Sequence, residues 1–70
     1  MSEEDIVWAV RVVAADEKAG SAGRGSWALD GKMIDRPVVG KAKGIIERAR
    51  KEGVVDVEAV RERWKGQEPE

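Results

Sequence analysis

Fourteen carboxylates and thirteen cationic side chains, with no His and no Cys, set the chemical repertoire of this 70-residue chain. A Ser–His or Cys–His nucleophile–base pair is therefore excluded, and so is any metal set built from His or Cys. Proton-transfer chemistry falls to the carboxylates, and most of these sit where helix starts or polar helix faces account for them. The stretch from Gly23 to Pro37 (GRGSWALDGKMIDRP) is different, because neither helical periodicity nor a solvated charge pattern explains it. Asp30 stands before Gly31 as the first half of a turn pair. Asp35 precedes Arg36-Pro37 and an apolar helical run, the pattern of an N-cap. The loop lies between two helices and could present Asp35 to an active site that the chain does not itself contain.

Other patterns carry less. Gly23-Arg24-Gly25-Ser26-Trp27-Ala28 matches GxGxxG/A formally, but a dinucleotide fingerprint must follow a strand and open a helix. Here it follows a helical segment and enters a hairpin. The cluster Arg48, Arg50 and Lys51, with Lys41 and Lys43 upstream, reads as a solvated face that also complements a helix C-terminus. Trp8, Trp27 and Trp64 read as packing anchors, since no basic stripe interleaves them. A net charge of −1 argues against general nucleic-acid binding. No apolar run approaches a membrane span, and the acidic start is wrong for a signal peptide, so a cytoplasmic location is expected.

The elements that must position Asp35 follow from periodicity, and the expected fold is mostly α: helix, hairpin loop, helix, short helix. Ser2 and Asp5 form a capping-box signature for a helix over about 3–18. Ile6, Val7, Val10, Val13 and Ala14 recur at helical spacing, widened by Trp8, Val12 and Ala15. So wide a face implies contacts on more than one side. The valines leave a strand open as an alternative. Gly20 is a natural stop. A loop over 20–35 contains Asp30-Gly31 between Trp27-Ala28-Leu29 and Met33-Ile34, the signal of a tight hairpin. A second helix spans about 36–52, with Pro37 in its first turn, Val38, Ala42, Ile45, Ile46 and Ala49 as its stripe, and Gly53 as its C-cap. Gly40 and Gly44 share one side of it, either as a close-approach surface or as a simple weakness. Val54-Val55 links to a third helix over about 56–64, capped by Asp56, with Val57, Val60 and Trp64 on one face. Residues 65–70 are polar, contain Pro69 and are expected to fray. For a chain this short, apolar burial and ordering entropy nearly balance, so a partner or a larger parent protein is expected.

From Ser2 to about Gly53 the chain resembles the C-terminal region of the HpcH/HpaI aldolase–citrate lyase β-subunit family, which includes malyl-CoA, citramalyl-CoA and citryl-CoA lyases. The specific part of the likeness is Asp30-Gly31-Lys32-Met33-Ile34-Asp35-x-Pro37, preceded by Gly23-x-Gly25-Ser26-Trp27-Ala28-Leu29. The resemblance implies that residues 1–64 correspond to the helical lid that follows a (β/α)₈ barrel, the barrel itself being absent here. It implies a Mg²⁺-dependent cleavage of a carbon–carbon bond in a coenzyme A thioester, with the metal ligands outside this chain. It implies that Asp35 is a catalytic acid/base given to the active site of a neighbouring subunit in a homo-oligomer. Gly23, Gly25, Asp30, Gly31, Met33 and Ile34 would then form the substrate loop, with Trp27, Leu29, Met33 and Ile34 shaping it and its docking surface. Isolated, the chain would be inactive. On the residues alone, a stand-alone helical protein–protein interaction module in which Asp35 is only a cap remains the alternative.

Overall fold

The computed structural model describes residues 2–23, 25–53 and 55–70. Arg24 of the glycine-rich loop and Val54 of the second linker lie outside the described residues. The elements run α1 (Glu3–Ser21), β1 (Trp27–Leu29), β2 (Lys32–Ile34), α2 (Arg36–Glu52) and α3 (Val57–Trp64).

Helix α1 starts on a complete capping box. Ser2 Oγ accepts from the Asp5 N–H at 3.3 Å, and the Asp5 carboxylate accepts from the Ser2 N–H at 3.2 Å. Two of the four orphan donors of the first turn are thereby satisfied. The helix does not stop at Gly20; it continues to Ser21, and the Ala22 N–H still reaches the carbonyls of Lys18 and Ala19. A helical Gly costs about 1 kcal/mol relative to Ala. Here that does not end the helix, because the adjacent Ala19 is fully buried and holds the last turn against the core.

The deepest line of α1 is Ala9, Val12, Ala15 and Ala19, flanked by Ile6 and Val10. The bulkier Val7, Trp8 and Val13 are half-buried at its borders. Small side chains at the centre let neighbouring elements approach closely, and larger ones seal the edges. Helices α2 and α3 both pack against α1, so its wide apolar face is used on more than one side. Helix α2 contributes Val39, Ala42, Ile46 and Ala49, with Val38 and Ile45 half-buried. Gly53 ends α2 in the left-handed conformation at φ 66°, its N–H donating to the Ala49 carbonyl at 3.0 Å. Helix α3 is capped by Asp56, which accepts from the Ala59 N–H at 3.1 Å, and it inserts Val57 into the core.

Between α1 and α2 lies a two-stranded antiparallel hairpin with Trp27 opposite Ile34, Ala28 opposite Met33 and Leu29 opposite Lys32. Asp30 and Gly31 at its tip both have positive φ, 54° and 80°, as a type I′ turn requires. The period-two alternation turns Trp27, Leu29 and Ile34 into the core and leaves Met33 outside.

The last residues, expected to fray, make main-chain contacts with the hairpin. They return along β1, where Ala28 N–H donates to the Glu70 main-chain oxygen at 3.3 Å and Glu70 N–H donates to the Ala28 carbonyl at 2.9 Å. This reciprocal exchange is that of an antiparallel strand pair.

Candidate functional site

Asp35 leaves β2 and enters α2. Its backbone is extended, and its Oδ1 accepts from the Val38 N–H at 3.2 Å, so it is the N-cap of α2. The carboxyl is exposed to solvent, as are Arg36 and Pro37 after it. The cap bond occupies one carboxylate oxygen in one direction. A carboxylate can accept several bonds, so the second oxygen keeps acceptor capacity. Among the described residues no side chain donates to it. The rigid hairpin on one side and the helix start on the other fix where the group points.

Met33 stands two residues before Asp35 on the outward side of β2. It is 68 % exposed, the large hydrophobic side chain left in water among the described residues. Its strand partner Ala28 is half-buried on the same face. A lone exposed apolar residue is ordinary; what matters is that this one adjoins the exposed acid. Trp27, Leu29 and Ile34, expected to shape a docking surface, instead hold the hairpin to the core from within. Gly23 (φ 75°) and Gly25 are exposed before β1, with open space where a side chain would stand. Gly40 and Gly44 are likewise open, with no neighbouring atom within 4 Å of an added Cβ. Nothing described in the chain makes the close approach that their spacing allows.

Arg11 was not singled out by the sequence, yet it gathers four parts of the fold. Its guanidinium makes a two-pronged ion pair with Asp30 at 2.9 and 3.0 Å. Its Nε donates to Gln67 Oε1 at 2.9 Å, and it lies 4.8 Å over the Trp64 ring. One side chain thus connects α1, the hairpin tip, the end of α3 and the tail. The only sequence signal was a charge inside the apolar stretch Ile6–Ala15. The hydrogen bonds from Arg11 hold the Asp30 carboxyl below the usual carboxylate range, outweighing the opposing effect of desolvation. Asp30 is therefore tied into structure, whereas Asp35 is presented to solvent.

A cleft of about 460 Å³ opens between α1, α2 and the end of α3, floored by Val10, Val13 and Ile46. No residue of the 23–35 loop lines it; a second, shallower hollow is lined by Asp30 with Trp8 and Arg11, and Asp35 does not line that one either. Among the described residues no group of three or more Asp, Glu, His or Cys could hold a metal ion. The donors nearest the loop do not fit one either: the Asp30 carboxylate is engaged by Arg11, and Asp35 is single. The basic residues of α2 form a solvated face, with Arg48 paired to Glu52 at 2.9 Å and Arg50 to Glu58 at 2.8 Å. Among the described residues no helix is long and apolar enough to cross a membrane.

No family model and no solved structure matches this chain. Curated relatives do. Citrate lyase subunit beta of Haemophilus influenzae is 39 % identical over 49 residues, covering 70 % of this chain and 17 % of that protein. The Escherichia coli K12 subunit is 38 % identical over 53 residues, covering 76 % and 18 %. The Leuconostoc mesenteroides subsp. cremoris subunit is 39 % identical over 57 residues, covering 81 % and 19 %. The chain thus spans less than a fifth of the length of these relatives. Over most of its own length it is similar to citrate lyase subunit beta.

Proposed function

We propose that this chain is the lid segment of a carbon–carbon lyase acting on a coenzyme A thioester, of the citryl-CoA, malyl-CoA or citramalyl-CoA type. The observation that carries the reading is the similarity to three citrate lyase β subunits over 49, 53 and 57 residues. The geometry agrees with it. Asp35 is exposed, follows the exposed Met33 by two residues, and does not line the cleft between α1 and α2, as an acid given to another body's active site would not.

In this reading the hydroxyl of the 3-hydroxyacyl thioester loses its proton and becomes the carbonyl of one product. The electron pair of the cleaved carbon–carbon bond passes to the thioester enolate, and the enolate carbon is then protonated. Asp35 serves as acid/base at that centre, in the active site of a neighbouring subunit. Covering by the partner would exclude water from that centre. The Mg²⁺ of such a lyase would be held by residues outside this chain.

The test is complementation. The Escherichia coli citrate lyase β subunit, with the segment similar to this chain removed, is mixed with the chain and assayed for acyl-CoA cleavage with Mg²⁺. Restored turnover that is lost with Asp35→Asn is the expected result. Restoration by Asp35→Asn as good as by the unaltered chain would end the assignment of Asp35. Failure of both would favour a stand-alone interaction module, to which the cap bond of Asp35 to Val38 already gives the residue a structural role.

A further inference from the structure

The outer edge of β1 and the tip of the hairpin form a binding surface whose recognition chemistry can be read from the segment now lying on it. In a two-residue I′ hairpin, the pair that flanks the turn, Leu29 and Lys32, exchanges hydrogen bonds, and the next pair does not. The N–H and C=O of Ala28 therefore point away from β2, and both are met by Glu70 at 3.3 and 2.9 Å. The Glu70 carboxylate spans the turn, its two oxygens accepting from the Asp30 N–H at 3.1 Å and the Gly31 N–H at 3.4 Å. The paired positive φ values bring these two amides into one concave face, an arrangement that suits an anion. Two residues back, Glu68 pairs with Lys18 Nζ at 3.0 Å, and Gln67 accepts from Arg11 Nε at 2.9 Å. Pro69 between the two acids pre-sets an extended backbone and lowers the entropy lost on docking.

We infer that this edge is a peptide-binding site for extended acidic segments of the form Gln-Glu-x-Glu, occupied in this chain by its own residues 67–70. The mode is strand addition. Main-chain bonds to Ala28 give register, Arg11 favours an amide acceptor at the first position, and Lys18 and the turn amides give the preference for acid at the second and fourth positions. Charge complementarity selects the occupant: Lys18 meets Glu68, Arg11 meets the Gln67 amide oxygen, and the two turn amides meet the Glu70 carboxylate. The inference is independent of any role of Asp35 in catalysis.

The same contacts predict that the tethered tail and a free peptide compete. A short tether gives an effective concentration on the order of millimolar, so a free peptide with a Kd of about 0.1 mM should bind the intact chain about tenfold more weakly than a chain whose tail is disabled, the factor being one plus effective concentration over Kd. The experiment uses the full chain carrying Glu68→Lys and Glu70→Lys, which leaves α1, the hairpin and α3 unaltered. Amide NMR shifts are followed while the peptide Gly-Gln-Glu-Pro-Glu is added, with Gly-Gln-Lys-Pro-Lys as control. Saturable shifts centred on Ala28, Asp30 and Gly31, given by the acidic peptide alone and about tenfold weaker in the unaltered chain, are expected. A second variant, truncated after Lys65, is titrated in the same way and should bind with the same pattern. Absence of shifts at those three amides in whichever variant shows a folded spectrum would overturn the inference. So would equal binding of the basic peptide. A concentration-dependent dimer formed by tail exchange, with no peptide binding, would assign the edge to a second copy's tail and overturn it as well.

Discussion

Asp35 carries two separable properties, a cap for α2 and an acid in solvent, and a pair of substitutions pulls them apart. Asp35→Asn keeps a side-chain oxygen where Oδ1 now accepts the Val38 N–H at 3.2 Å. Asn and Asp are about equal as N-caps, whereas Ala at that position costs about 0.5–2 kcal/mol. The site lies toward the middle of that range. The bond is long rather than short, but α2 has no acidic residue in its first turn to act as a substitute partner for the exposed amides. We therefore expect Asp35→Ala to lose about 1 kcal/mol and Asp35→Asn a few tenths at most. For a domain of this size 1 kcal/mol corresponds to roughly 4–8 °C in Tm. Thermal unfolding by circular dichroism and urea titration both measure it. In the complementation assay the order reverses in meaning, since Asn, which cannot donate a carboxyl proton, should abolish turnover as fully as Ala. Equal destabilisation by Asn and Ala would refute the cap geometry. Turnover retained by Asn would refute the acid.

Leu29 is among the largest fully buried side chains, and Leu29→Ala should cost about 2–5 kcal/mol and leave the hairpin detached in urea titrations at modest denaturant. Asp30 has a depressed carboxyl pKa through its bonds to Arg11. Its contribution to stability is thus fully present above the ordinary carboxylate value and is lost as pH falls through the lower folded-state value. Asp30→Asn keeps a residue that tolerates positive φ, and should flatten that acid limb in pH-dependent unfolding. Met33→Ser, at the exposed position of β2, should change stability by no more than about 0.5 kcal/mol. It should nevertheless weaken complementation, seen as a higher concentration of the chain needed for half-maximal turnover.

The sequence revealed the elements more readily than their internal detail. Helical spacing, Ser2, Asp35, Asp56 and Gly53 announced three helices with their caps, and Asp30-Gly31 announced the hairpin, because each of these signals is local. The centre of the α1 face was harder to see. Hydrophobic bulk points to its valines, whereas close packing selected Ala9, Ala15 and Ala19, which periodicity weights lightly. Gly20 lies inside α1 because tertiary burial of Ala19 outweighs a local propensity. The ordered tail and the hub at Arg11 were not legible, since both rest on pairings between residues about 20 to 56 positions apart that no nearby residue signals. Of the candidate site, Asp35 and Met33 are presented to solvent together. Ile34 is spent on the core, and Asp30 is committed to an ion pair.

The docking of residues 67–70 also bears on the order in which the molecule assembles. A two-residue hairpin closes in roughly 1–10 μs, but the bonds from Asp30 to Glu70 join positions 40 residues apart and must await the helices that bring them together. Contacts of that span form late, so their loss is felt on the way out of the native state more than on the way in. Weakening the tail should accelerate unfolding in stopped-flow experiments and leave the folding limb nearly unchanged. The last four residues would then set how long the hairpin, and Asp35 at its exit, stays in place once formed.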